Sequence, residues 1–123
     1  WPGGLTLVLP IAVGVPAIIS PGPGIAIRMP DHPVALELIR RLGAPIAATS
    51  ANLSGMPDAT TAQEVVRQLG RRVDMVLDDG PTPGLRPSTV VDFTHQPPRL
   101  QRPGPISLEQ LRAHVPALAA PSR

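Results

Sequence analysis

Eighteen prolines and eleven glycines punctuate this 123-residue chain. Proline fixes φ and has no N–H to donate, so it interrupts helices and is kept out of central strands. The prolines fall between apolar runs without a period, which excludes a collagen-like repeat. They read as the boundaries of many short elements. Apolar residues make up 42% of the chain, enough to bury a core and to exclude wholesale disorder. Trp1 and Phe93 are the only aromatic residues, so that core is built from Val, Ile, Leu and Ala. The length is that of about one domain.

All 11 basic residues are arginine, and the formal charge is +2. So small an excess does not by itself argue for nucleic-acid binding. Without lysine, this chain offers neither a Schiff base nor a phosphate-loop lysine. Without cysteine it has no disulfide, no thiolate metal site and no thiol nucleophile, which fits a cytoplasmic location. No run of about 18 apolar residues is present, so no membrane span is expected. Residues 5–19 are apolar but are broken by Pro10 and Pro16, with no charged segment ahead of them, a poor signal peptide.

The pattern predicts strands at Leu5–Leu9, Ile25–Met29, Pro45–Thr49, Val73–Leu77, Ser88–Phe93 and Arg99–Arg102, with an extended piece at Pro16–Ser20. A helix is expected after Asp31-His32-Pro33, with Asp31 as N-cap, Pro33 in the first turn and Gly43 as the stop. Thr61-Ala-Gln-Glu64 and Ser107-Leu-Glu-Gln110 are capping boxes. The first opens a helix ending at Gly70, and the second a helix reaching about Val115. Residues 1–116 are expected to form one α/β (α+β) domain with a mixed sheet flanked by helices, and 117–123 read as a disordered tail.

Three stretches could carry chemistry. Thr49-Ser-Ala-Asn-Leu-Ser-Gly55 follows a strand candidate, where small donors suit an anion. On composition alone the more ordinary reading is a plain Ser/Asn/Gly turn. Arg28 stands inside Ile-Ala-Ile-Arg-Met-Pro. It either faces solvent or forms a bidentate fork with a carboxylate or phosphate. Ser88-Thr-Val-Val-Asp92 and Arg102-Pro-Gly104 are weak signals singly. His32, His95 and His114 lack helical metal spacing, and Gly-x-Ser-x-Gly is absent. The pairs Arg40/Arg41 and Arg71/Arg72 suit helix C-termini, or alternatively a duplex-RNA surface.

In order and spacing, these stretches together resemble one family. Trp1-Pro-Gly-Gly-Leu-Thr-Leu-Val-Leu-Pro10, Arg28-Met-Pro-Asp-His-Pro33, Thr49–Gly55, Asp79-Gly80, Ser88–Asp92 and Arg102-Pro-Gly104 are similar to motifs of YrdC-like L-threonylcarbamoyladenylate synthases. The resemblance covers essentially residues 1–115. It implies a YrdC/RibB-like twisted mixed sheet and a nucleotidyltransferase. Such enzymes form threonylcarbamoyl-AMP from L-threonine, bicarbonate and ATP, releasing pyrophosphate, for the threonylcarbamoyl modification of adenosine 37 in tRNA. It implies threonine contacts at Arg28, Ala48 and Ser88, and ATP contacts at Gly24, Ser50, Asn52, Asp58 and Arg102. No protein nucleophile is required. Mg²⁺ would assist at the phosphates, and the partners would include tRNA-modification transferases and double-stranded RNA or tRNA.

The chain departs from the family in three ways. Asp58 stands where the family usually has Ser, putting an anion at a polyphosphate contact. Gly24 can offer only its backbone. The basic Lys-Arg-x-x-x-Pro strand of the family's N-terminal half has no counterpart in a sequence that starts at Trp1. The expectation is an incomplete fold: the C-terminal portion of a synthase, carrying half of a site. Two other readings are a YrdC-like domain of a carbamoyltransferase maturation factor and a duplex-RNA-binding module without catalysis. The tail 117–123 reads as a chain end, which favours the stand-alone enzyme over the first of these.

Overall fold

A computed structural model of the chain describes residues 1–16, 18–20, 22–82 and 86–121. The chain divides into two compact units: residues 1–43 with 86–123, and residues 44–85.

The first unit is built on a four-stranded sheet of order β2-β1-β3-β4, with β1 Leu5–Pro10, β2 Gly24–Arg28, β3 Thr89–Asp92 and β4 Arg99–Arg102. β1 runs antiparallel to β2 and parallel to β3, while β3 and β4 are antiparallel. Alternation sends Leu5 and Leu7 of β1 to one face, with Val91 and Phe93 from the β3 side and Leu100 of β4. There Leu111 and Leu118 close the core, with Ile106, Leu108 and Val115 packed around it. Each aliphatic side chain buried here contributes roughly 1.5–3 kcal/mol.

Thr89 lies in this layer, the one fully buried polar side chain among the described residues, 0% exposed. Its hydroxyl donates to the Ile106 carbonyl at 3.0 Å and accepts from the Ile106 N–H at 2.9 Å. Both backbone groups are thus satisfied in the dry interior. The helix α3, Leu108–Arg112, follows directly, and Ser107 and Gln110 close the expected capping box around its start.

Helix α1, Pro33–Leu42, also belongs to this unit. The residue ahead of it corrects the expected cap: His32, not Asp31, is the N-cap, because Pro33 occupies the first helical position. Gly43 ends the helix at φ 68°, a left-handed conformation that favours glycine.

Residues 117–121 are not a disordered tail. Leu118 is 1% exposed, and Ala119 pairs with Arg99. The Ala119 carbonyl accepts from the Leu100 N–H at 3.0 Å, and its own N–H donates to the Pro98 carbonyl at 2.9 Å. Residues 122 and 123 lie outside the described residues. Pro16, Ile18 and Ile19 lie in a turn rather than an extended piece, and Ala17 lies outside the described residues.

The second unit carries α2, Ala62–Leu69, followed by a 3-10 turn at Gly70–Arg72. Thr61 caps α2 by accepting from the Glu64 N–H at 3.2 Å. The Glu64 carboxylate reaches back to Thr60, accepting from its N–H at 2.7 Å and from its hydroxyl at 3.0 Å. Pro45–Thr49 and Val73–Leu77 are not strands. They are short segments that pair with no strand among the described residues, and a strand exists only through its ladder. No helix of the described residues is long and apolar enough to cross a membrane.

Candidate functional site

The face of the sheet opposite the core carries several of the candidate site residues. Register aligns Arg28 of β2 with Thr6 of β1, Thr6 with Val90 of β3, and Val90 with Arg102 of β4. Directly paired residues share a face. Two guanidinium groups therefore rise from the two edge strands of one row, about three strand spacings or roughly 14 Å apart at the backbone.

Arg102 reaches this face because of a bulge. Val90 pairs with Arg102 but Val91 pairs with Leu100, so Gln101 is the extra residue. Plain alternation from Leu100 would have turned Arg102 into the core. One extra residue on one strand reverses its direction. From there its Nε donates to the Ser88 carbonyl and its Nη2 to the Ser88 hydroxyl, both at 3.0 Å. The Thr6 hydroxyl lies 2.7 Å from the Ser88 hydroxyl. Ser88 is buried and is thus the point where Arg102 and β1 meet.

Gly104 makes this approach possible. A Cβ there would stand 2.3 Å from the Thr89 nitrogen, 2.7 Å from the Pro87 oxygen and 2.7 Å from the Ser88 carbonyl carbon. Those are backbone atoms, so only glycine fits, and this is what the Arg-Pro-Gly spacing supplies. Gly24, paired with Pro10, lies on the same face. A side chain there would collide with Val8 and Thr94.

Arg28 is exposed, and its Nε donates to the Gly3 carbonyl at 2.9 Å. That bond fixes the plane of the guanidinium and leaves its terminal nitrogens for a ligand. At the far end of the face, the Asp92 carboxylate accepts from the Thr94 hydroxyl at 2.6 Å and the Thr94 N–H at 2.8 Å. These bonds, led by the hydroxyl, hold the Asp92 carboxyl below the usual range, and His95 at 3.2 Å adds to the effect.

The remaining candidates belong to the second unit. Ala48 is exposed on the irregular segment before the Ser-Ala-Asn loop. In that loop the Ser50 hydroxyl donates to the Asn52 side-chain oxygen, and Asn52 Nδ2 donates to the Met56 carbonyl at 2.6 Å. Ala51 between them has φ 56°, and its N–H donates to the Thr49 hydroxyl at 3.2 Å. Asp58 borders a shallow hollow with Met56, Glu64, Arg67 and Gln68. The structure thus brings Arg28, Ser88, Arg102 and Gly24 to one sheet face, and gathers Ser50 and Asn52 in one loop.

Sequence reasoning missed Thr6 and Thr89. A threonine in an apolar strand reads as filler. The available signal was the alternation itself, which sets Thr6 apart from Leu5 and Leu7.

The Sua5/YciO/YrdC family model, described as "Telomere recombination", matches residues 1–104. The chain belongs to this family. Among curated relatives, a threonylcarbamoyl-AMP synthase of Bacillus subtilis is 48% identical over 94% of this chain and 34% of its own length. A threonylcarbamoyl-AMP synthase of Pyrococcus abyssi is 46% identical over 90% of this chain and 33% of its own. The chain therefore spans about a third of the length of these two Sua5/YciO/YrdC members. Among solved structures, P. abyssi Sua5 complexed with L-threonine matches with a TM-score of 0.89 and 42% identity, over 98% of this chain and 36% of that one. E. coli YciO matches with a TM-score of 0.78 and 29% identity, over 89% of this chain and 54% of that one. These neighbours agree with the α/β YrdC-like fold read from the sequence.

Proposed function

We propose that this chain is part of a threonylcarbamoyl-AMP synthase, which joins L-threonine, bicarbonate and ATP into threonylcarbamoyl-AMP and releases pyrophosphate. The observation that carries the reading is the row Arg28–Thr6–Val90–Arg102, with Ser88 hydrogen-bonded to its Arg102 end. Arg28, anchored through Nε, presents its remaining nitrogens to the threonine carboxylate as a fork. Ser88, on the same face, contacts the same amino acid.

In the first unit Arg102 neutralises phosphate charge and the Gly24 backbone lies on the same face. In the second unit the loop carrying Ser50 and Asn52 offers small polar groups suited to a phosphate. Asp58 meets a polyphosphate only through its backbone N–H or through a cation, because its carboxylate repels the phosphates. Mg²⁺ enters with the nucleotide, on its phosphates, as part of the substrate. The threonine amine attacks the bicarbonate carbon and water is lost, giving the N-carboxylate (carbamate); a carbamate oxygen then attacks the α-phosphate and displaces pyrophosphate. No side chain forms a covalent bond. The residues orient two anions toward each other and offset their repulsion, a positioning and electrostatic mechanism. The product serves tRNA modification in the cytoplasm, through a transferase that passes the threonylcarbamoyl group to adenosine.

Pyrophosphate release by the full-length protein, with threonine and bicarbonate omitted in turn, tests the reading. Release that requires all three substrates supports it. Release indifferent to threonine overturns it.

A further inference from the structure

The hydroxyl pair at Thr6 and Ser88 has a direction that follows from counting donors and acceptors. A serine oxygen carries one proton and two lone pairs. One lone pair of Ser88 Oγ is taken by Arg102 Nη2 at 3.0 Å. Thr6 Oγ1 stands 2.7 Å away, short enough that one hydroxyl donates to the other. If Thr6 donates, both Ser88 lone pairs are filled and the Ser88 proton is the one group left to offer. If Ser88 donates, its proton is spent within the protein. The first arrangement suits a site for an anionic oxygen, and the second does not.

We propose that Thr6 is a positioning residue. It donates to Ser88 Oγ and, together with Arg102, turns the Ser88 O–H outward as a single donor for the carboxylate of a bound amino acid. This rests on the functional reading given above. Thr6 is fixed for the task by the middle of the sheet, since β1 is paired on both sides, with Arg28 opposite it in β2 and Val90 opposite it in β3. It touches the ligand only through Ser88. The hydroxyl is the requirement, and the methyl group is not.

The test is a double-mutant cycle on L-threonine affinity, measured by calorimetry on the full-length protein, with thermal midpoints recorded in parallel. Thr6→Val keeps the shape and removes the donor. It is expected to weaken threonine about fivefold to tenfold, the worth of one ordinary hydrogen bond. Thr6→Ser restores affinity to within about twofold of the parent, which a requirement for strand packing alone would not produce. In a Ser88→Ala background, Thr6→Val has no further effect, because Thr6 acts through the oxygen that is gone. A full Thr6→Val loss in that background overturns the proposal, since Thr6 then acts on the ligand or the fold directly. Unchanged affinity for Thr6→Val, beside weakening by Ser88→Ala, also overturns it while leaving the functional reading intact. Absence of threonine binding by the parent overturns both.

Discussion

Arg102 holds Ser88 by its carbonyl and by its hydroxyl at once, each at 3.0 Å. By family resemblance the two residues serve different substrates, Ser88 the amino acid and Arg102 the nucleotide. In the sheet they are one unit, because the bulge at Gln101 turns Arg102 onto the Ser88 face. A guanidinium that orients a serine for one substrate while neutralising another would link the two binding events.

Arg102→Ala is therefore expected to weaken threonine as well as ATP, with threonine affected by several-fold even in the absence of nucleotide. Arg102→Lys can reach one Ser88 oxygen but not both, and is expected to rescue ATP binding better than threonine binding. Calorimetric titration of each substrate alone checks this. A variant that loses only ATP affinity would show that the Ser88 contact has no bearing on the amino-acid site.

Arg28 is expected to behave oppositely. Its guanidinium is anchored to Gly3 and stands at the edge of the row remote from Arg102. Arg28→Ala should weaken threonine by about 2–5 kcal/mol, the range for losing a charged bidentate partner, and leave ATP nearly untouched. Arg28→Lys should recover little, because an ammonium cannot both hold the Gly3 carbonyl and fork a carboxylate. Equal losses of both substrates would place the carboxylate elsewhere.

Gly104→Ala tests how closely the Arg-Pro-Gly turn packs on the Ser88 strand. The added carbon would meet three backbone atoms at 2.7 Å or less, and backbone cannot swing aside as a side chain can. Overpacking of this kind costs roughly 1–3 kcal/mol. Relief would come by pushing β4 away from Ser88. Chemical denaturation should show the loss, and threonine affinity should fall with it. A variant as stable as the parent would mean the turn has room to move.

Most of the first unit could be read from the sequence, and little of the second. β1, β2, β3 and β4 each coincide with an apolar or alternating run with a proline or glycine near at least one end. The helix starts at Thr61 and Ser107 follow from local hydrogen bonding, which needs no distant partner. Pro45–Thr49 and Val73–Leu77 have the same local composition as true strands, but a strand is decided by a neighbour, and composition does not report one. The same limit explains Arg102. Its outward direction depends on a register shift against β3, and strict alternation predicts the reverse. Thr6 was hidden for a related reason, since its partner Ser88 is 82 residues away in the chain.

Small apolar residues misled the reading of the C-terminus. Leu118 lies in a run of alanines and prolines that looks like a tail, yet it is 1% exposed against Val91, Leu100 and Leu111. Leu118→Ala is expected to cost about 2–5 kcal/mol, as for other buried leucines. A stop codon in place of Leu118 should be worse, because it also strips the Ala119 bonds from Leu100 and Pro98. Urea unfolding of both variants would check this, and midpoints equal to the parent would restore the tail reading.

Asp92 gives the sheet an acid limb whose sign can be worked out. Hydrogen bonds from the Thr94 side chain and backbone, with the nearby His95, lower its folded-state pKa, and partial burial opposes them without prevailing. A carboxylate lowered on folding adds stability that is fully present above its unfolded value, about 3.9. The stability is lost as pH falls through the folded value, so the window lies below about pH 4. Asp92→Asn cannot ionise and also puts an amide where one acceptor oxygen was. It should lower stability at pH 7 and flatten the acid limb, so that parent and variant converge as the pH drops. Thr94→Val should give a smaller version of the same change, since the hydroxyl is the largest contributor. Urea midpoints recorded from pH 7 down to pH 3 would read both. A constant gap between parent and Asp92→Asn across that range would show that the contacts of Asp92 are indifferent to its charge.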